Sequence, residues 1–230
     1  MSPLPVKLNF VFAESAIELV PKEILRSPAV VNDSRRRGVD ASRILLDRSL
    51  HHSSMGRLRD SEKRGRPDLV HAALLSVTGT PLYLDGSVSV FIHTNQDVVL
   101  ELAEKTRIPK SYFRFRGLVE KLLSEMSDEG LVKAYGAGIP ELLRKTISPD
   151  RVFGLSVQGR QSGPEELAKA IVAAKKPCVV VGGFPHGHFS QETLALVDEL
   201  VRIHERPLEA HVVASRVVYE VEKAAGLTND

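Results

Sequence analysis

Pro177-Cys178-Val179-Val180-Val181, running straight into Gly182-Gly183-Phe184-Pro185-His186-Gly187, is the stretch on which the fold turns. The β-branched run reads as a buried strand, and the glycine loop must follow it at once. Next come a helical segment from Gln191 to Val197, a second apolar run ending near Ile203, and the loop Glu205-Arg206-Pro207-Leu208. A last amphipathic helix spans roughly Glu209 to Ala225. Strand, glycine loop, helix, strand, loop, helix is a βαβα unit, and such units predict a parallel sheet with a ligand crevice beyond the carboxyl ends of its strands. Gly182 and Pro207 would both lie in that crevice. An ordinary dinucleotide fold puts its glycine turn after the first strand with a G-x-G-x-x-G spacing. Here the turn comes late and the spacing is different, so that reading is weak.

Working outward, the composition bounds the rest. The chain has 230 residues and is 43% hydrophobic, enough for a core of its own, in one large domain or two small ones. No run approaches the length of a membrane span, and Leu8 to Ala13 is too short for the apolar part of a signal peptide. One cysteine excludes a disulfide framework and a cysteine-based zinc site, and Cys178 reads as an inert core residue. These features point to an intracellular, cytoplasmic protein with no membrane partner and no bound metal. The net charge is only +2, but it is unevenly spread: twelve Lys and Arg face six Asp and Glu from Lys22 to Arg66, and six face one from Lys105 to Lys121. The asymmetry fits either a polyanion-binding face or a solvated basic surface.

Towards the N-terminus, Leu8 to Ala13 reads as the first strand and Glu14 to Val20 as a turn into a helix. Asn32 to Gly38, with Arg35, Arg36 and Arg37, reads as an exposed loop. Asp40-Ala41-Ser42 is a helix cap ahead of Ile44, Leu45 and Leu50. Adjacent His51 and His52 do not share a helical face, which argues against a metal pair. Met55 to Gly65 reads as a flexible connection. Pro67 and Asp68 suit the first turn of an apolar helix over Leu69 to Leu75, ended by Gly79-Thr80-Pro81. Val88 to Thr94 and Val98 to Leu102 are strands. Arg107 to Gly117 mixes bases with aromatics ahead of a helix from Leu118 to Met126. If that helix starts near Pro109, Lys110 and Arg114 fall at i and i+4 on one face, with Arg107 just ahead, a row that suits phosphates. Phe113 and Phe115 either pack into the core, the commoner fate of such residues, or stack on bases. A turn at Gly136 to Pro140, a strand at Arg151 to Val157 and a helix at Pro164 to Ala174 lead back to the opening stretch.

Several strings, in order over nearly the whole chain, resemble one family. They are Ala13-Glu14-Ser15-Ala16-Ile17-Glu18-Leu19-Val20-Pro21, Arg66-Pro67-Asp68-Leu69-Val70-His71, Ile92-His93-Thr94 and Arg107-Ile108-Pro109 through Arg114-Phe115. Val181-Gly182-Gly183, His186-Gly187 and Pro207-Leu208 complete the set. The family is the small-subunit ribosomal RNA pseudouridine-N1-methyltransferases, ribosome-biogenesis factors of the SPOUT class.

The resemblance implies one α/β domain over residues 1–230, a parallel sheet with a deep trefoil knot at about 176–225, and a homodimer. It implies that S-adenosylmethionine binds against Leu155, Gly182, Gly187 and the loop Ile203, His204, Glu205, Arg206, Pro207 and Leu208. It assigns Arg66, Arg107, Lys110 and Arg114 to small-subunit ribosomal RNA. Asp68 either takes the N1 proton of pseudouridine, or holds Arg66 in place, the reading its position two residues further on favours; a third role is as partner to the helix dipole. The chain departs from the family pattern at Glu205, Arg206 and Glu209, which would crowd the cofactor if they turned inward, and at Lys110, where an arginine is expected. The lack of a long basic N-terminal extension fits an archaeal or otherwise minimal member. The expected activity is methyl transfer to a pseudouridine. The alternatives are a non-catalytic RNA-binding assembly factor and a methyltransferase for another nucleotide.

Overall fold

In the computed structural model, which describes residues 7–228, seven strands form one sheet in the order β4-β3-β2-β1-β6-β5-β7. Strands β1 (Leu8–Ser15) and β6 (Pro177–Gly182) lie side by side near its middle, although Asn9 and Pro177, joined by a hydrogen bond, are 168 residues apart in sequence. Apolar residues fill both faces of β1: Phe10 and Phe12 point to one side, Val11 and Ala13 to the other. The same holds for Val179 and Val180 of β6, so the sheet is buried on both faces.

The expected parallel sheet holds for five of the seven strands and needs correction at the other two. Strands β2 (Val88–Thr94), β1, β6, β5 (Arg151–Gln161) and β7 (Glu199–Arg202) run parallel, but β3 (Val98–Leu102) and β4 (Val132–Gly136) are antiparallel to their neighbours. The reason is local. Only Asn95, Gln96 and Asp97 separate β2 from β3, enough for a hairpin and far too few for a parallel crossover. The sequence reading did not include β4.

Helices α3 (Pro67–Thr78), α5 (Tyr112–Glu125), α7 (Pro164–Ala173) and α9 (Ala210–Ala224) cover one face and supply the larger core, with Val70, Leu74, Phe115, Ile171 and Val217 among its buried residues. A short helix α4 (Pro81–Leu84) leads from α3 into β2. The opposite face is closed by α6 (Ile139–Glu141), which continues as a π-helical stretch over Leu142–Ile147, and by the single turn α8 (Gln191–Leu194). Gln191 to Val197 was expected to be helical throughout, but the helix stops at Leu194.

Between β1 and α3 the chain differs most from expectation. Asn32 to Gly38 is not a loop: it is the second half of α1 (Pro28–Arg37), and Gly38 closes the helix in the left-handed conformation. Asp40 caps only a 3-10 turn at Ala41–Arg43. The helix that follows, α2 (Arg48–Met55), is capped by Asp47, whose side chain accepts from Ser49 N at 2.9 Å. Glu14 to Val20 leads into no helix directly; Leu19 bridges Leu45 instead. Val20, Ile24, Val30, Ile44, Leu46, Met55 and Leu58 form a small separate core, so Met55 to Gly65 is pinned at both Met55 and Leu58.

Candidate functional site

The carboxyl ends of β5, β6 and β7 open onto a cavity of about 550 Å³. Leu155, Val181 and Val201 form its floor: they stand in register across β5, β6 and β7, with Leu155 paired to both of the others. The glycine loop, from Gly182 to Phe189, makes one wall, and Ile203 to Glu209 makes another. Ala210 and Val213 of α9 close the back, and Arg66 and Leu69 of α3 stand at the side. Parallel sheets bind ligands at this edge, where loops diverge and backbone groups are left free.

Of the residues expected to hold a cofactor, Leu155, Gly182, Gly187, Ile203, His204, Arg206, Pro207 and Leu208 all line this cavity; Glu205 is exposed and off the wall. Arg206 and Glu209 do reach it, so two of the three departures expected to crowd the cofactor line the cavity. The walls suit a nucleoside: apolar branched side chains supply flat contact area, and exposed loop backbone supplies hydrogen-bonding groups.

The glycine loop is held by residues the sequence reading did not single out. Gly183 accepts from Ala16 N and donates to Ala13 O, each at 2.8 Å. A Cβ on Gly183 would stand 2.1 Å from Ser15 Oγ, so only glycine fits against β1 there. Glu14 Oε1 accepts from Ser190 N at 2.8 Å and from Thr193 Oγ1 at 2.7 Å. Lys63 pairs with Glu14 at 3.5 Å, donates to His188 O, and lies 4.7 Å from the centre of the Phe184 ring. Glu14 itself takes a positive φ of 51°, uncommon for a residue with a side chain. Its position at the end of a buried strand, inside one of the quoted strings, was the signal that could have found it.

Arg66 sits at the N-cap of α3, and its Nε and Nη2 donate to the two carboxylate oxygens of Asp68 at 2.8 and 2.9 Å. Partial burial alone would push the Asp68 carboxyl up, but the paired Arg66 guanidinium outweighs it and holds Asp68 below the usual carboxylate range. Asp68 does not line the cavity, whereas Arg66 does.

The basic segment is fastened to the same helix. His71 Nε2 lies 2.7 Å from Pro109 O, its ring stacks on Phe115 at 4.4 Å, and Tyr112 donates to Asp47 Oδ2 at 2.6 Å. Ser111 is the N-cap of α5, so Lys110 lies outside the helix and does not stand one helical turn from Arg114. Arg107, Lys110 and Arg114 are nonetheless all exposed around one loop-to-helix corner. The two aromatics divide: Phe115 is buried and Phe113 is 73% exposed.

The two basic stretches also differ in kind. Between Lys22 and Arg66 many cations are neutralised: Arg37 by Glu120, Arg43 by Glu125, Arg64 by Glu18, Arg66 by Asp68. Arg107, Lys110, Arg114 and Arg116 have no ion pair with any described residue. Among the described residues no three His, Cys, Asp or Glu side chains stand together as a metal site, and no helix is long and apolar enough to cross a membrane. Cys178 is fully buried, and burial raises its thiol pKa well above the ordinary value.

Seven strands with a cavity at the parallel carboxyl edge define an α/β protein that binds a small ligand there, and the comparisons narrow the class. A crystal structure of Archaeoglobus fulgidus Nep1 bound to S-adenosylhomocysteine superposes with a TM-score of 0.84, covering 96% of this chain and 99% of that one at 34% identity. The ribosomal RNA small subunit methyltransferase Nep1 of Staphylothermus marinus is 39% identical over 94% of this chain and 95% of its own length. The protein of that name from Pyrococcus furiosus is 35% identical over 94% and 96%. The EMG1/NEP1 methyltransferase model matches residues 10–222, and the chain belongs to that family.

Proposed function

We propose that this chain methylates N1 of a pseudouridine in small-subunit ribosomal RNA, with S-adenosylmethionine as methyl donor, in the course of ribosome biogenesis. The observation that carries the reading is a single arrangement: a cavity walled by late glycine and proline loops, with Arg66 at its side and unpaired cations fastened to the helix that Arg66 caps. The solved relative holds S-adenosylhomocysteine, the demethylated form of that donor.

When bound, S-adenosylmethionine supplies an electrophilic methyl group on a sulfonium. The remaining tasks fall to the protein. Leu155, Val181 and Val201 exclude water from the floor, and the backbone from Ile203 to Leu208 offers hydrogen-bonding groups to an adenosine. Arg107, Lys110 and Arg114 hold RNA phosphates, so that a loop nucleotide can leave its stack. The N1 of pseudouridine carries a proton and is a poor nucleophile until that proton passes to solvent water at the mouth of the cavity, leaving N1 free to take the methyl group as the sulfonium departs as a neutral thioether. Arg66, which lines the cavity, steadies the resulting negative charge, and Asp68 is the positioning residue that holds its guanidinium.

The rest of the family pattern is proposed with it. One domain covers the chain, a reading supported by the single sheet that holds all seven strands of the described residues; residues 1–6 and 229–230 of the expected 1–230 span lie outside them. The tail is a trefoil knot. Supporting that, β7 pairs with β5 both before and after a register break between Leu155 and Arg160, and the Gly159 backbone presses against Leu200 and Val201. The protein works as a homodimer, which sedimentation equilibrium tests directly.

Methyl incorporation into hairpin RNAs that carry uridine or pseudouridine at one loop position is the deciding measurement. Labelling of the pseudouridine RNA alone is expected. Equal labelling of both moves the target to another nucleotide. RNA binding with no calorimetric signal for S-adenosylmethionine leaves a non-catalytic assembly factor.

A further inference from the structure

Among the described residues Phe113 is the most exposed of the large apolar side chains, and its surroundings are unusual. It occupies the second position of α5, where Phe115, Val119 and Leu122 turn inward and Phe113 faces away from them. Gly117 lies one turn further on, and a Cβ built there would meet nothing within 4 Å, so the surface beside the ring is open. The Arg116 guanidinium lies 5.4 Å from the ring centre, and its buried Nε has no hydrogen-bond partner among the described residues. Arg107, Lys110 and Arg114 surround the same corner with no counterion.

A bare ring of this kind normally costs solubility, and a run of uncompensated cations costs repulsion. Both are relieved by one ligand chemistry: an anionic backbone carrying flat aromatic groups. A peptide with acidic residues would satisfy the cations but gains nothing specific from the ring. A nucleic acid strand satisfies both, because every base has a face to stack and every linkage has a charge.

We propose that Phe113 is a stacking platform for an unpaired base of the RNA, next to the nucleotide that enters the cavity, with Arg116 behind the ring and the neighbouring cations on the flanking phosphates. The inference rests on the RNA reading above and deepens it: contact extends past the target nucleotide, and the strand is held single there. Phe113 thereby discriminates looped from paired RNA, since a base within a duplex has no free face to offer.

The test measures binding of a pseudouridine hairpin RNA, with 2-aminopurine at successive loop positions, to the full chain and to Phe113→Ala, Phe113→Leu and Phe113→Trp. Phe113→Ala is expected to weaken binding about tenfold or more and to lose fluorescence quenching at one loop position. Phe113→Trp is expected to keep both. The salt slope of log affinity should stay the same in Phe113→Ala, because no phosphate contact is lost, whereas Arg114→Ala should flatten it by about 0.7. Full affinity in Phe113→Ala or Phe113→Leu, with the wild type binding normally, overturns the stacking role and leaves the RNA function standing. Dissociation of a dimer by Phe113→Ala, seen by sedimentation, overturns it too, by assigning the ring to an interface between copies. No RNA binding by the wild type removes the function itself and this inference with it.

Discussion

Arg66 and Asp68 illustrate how much a pair of residues can say and where the sequence stops. Their spacing at a helix start made pairing the favoured reading, and the two hydrogen bonds at 2.8 and 2.9 Å are of the kind that spacing anticipates. The direction of the Asp68 shift keeps the carboxyl ionised, which both candidate roles require, so the pH profile has to separate them. A carboxyl held below its ordinary range stays ionised above that range and loses its pairing only as pH falls through the lowered value. Asp68→Asn is therefore expected to cut kcat/KM for RNA about tenfold by freeing Arg66, with the shape of the pH–rate profile above pH 5 unchanged. If the substitution instead erases an acid limb of that profile, Asp68 is the base. Glu14 shows the opposite case. Only its place in a quoted string marks it, and nothing local names its task, because its partners Ser190 and Thr193 come more than 170 residues later. Glu14→Ala should weaken S-adenosylmethionine binding about tenfold in calorimetry by releasing the glycine loop, while Glu14→Gln, which keeps an acceptor, should lose less.

At the scale of elements, β1, β2, β3, β6, α3, α7 and α9 were legible, because each carries its own period and its own stop signals. The elements that were not legible depend on distant partners. Arg35, Arg36 and Arg37 look like a loop until Asp33 and Glu120 are placed beside them, with Arg37 donating to both oxygens of Glu120 on α5. The same region buries His51 completely: Nδ1 accepts from Asp47 N at 3.1 Å, and Nε2 lies 3.6 Å from Asp33 Oδ2, with Arg37 also near. Burial lowers the His51 pKa, and the attraction of Asp33 and Asp47 only partly offsets it. The folded protein thus keeps this ring neutral while the unfolded chain protonates it below about pH 6.5. Stability from this residue is complete above that pH and falls as pH drops towards the lowered value, by at most about 1.4 kcal/mol per pH unit. Urea midpoints at pH 7.5 and 5.5 check this, and a midpoint that rises on acidification would contradict it. Two glycines give a sharper pair. A Cβ on Gly159 would stand 2.6 Å from the backbone of Leu200 and Val201, so Gly159→Ala should destabilise by about 3 kcal/mol or prevent folding. Gly117→Ala, facing open space within α5, should instead stabilise by about 0.5–1 kcal/mol.

On the scale of the whole molecule, the charge asymmetry of the sequence resolves into two unlike parts. In one stretch Arg37 and Arg43 tie their segments to α5, and Arg64 and Arg66 are paired as well. In the other Lys121 pairs with Glu129, while Arg107, Lys110, Arg114 and Arg116 stay without an ion pair among the described residues around Phe113. Composition could not tell them apart, since counting charges says nothing of who meets whom. The cavity likewise belongs to no single element: α3, β5, β6, β7 and α9 all contribute. S-adenosylmethionine at a hundred times its dissociation constant should therefore raise unfolding free energy by about 2.7 kcal/mol, read as a shifted midpoint. The absence of any shift would mean that the folded chain does not bind the donor. The position of β6 between β1 and β5 carries a further consequence for a chain still being made. When residues 8–94 have emerged, β1 can zip to β2 on one side only; its other flank waits bare until residue 182 exists. The reactive hollow is thus the last thing to appear, and a half-synthesised copy could cling to RNA through its earlier basic corner long before it could mark it.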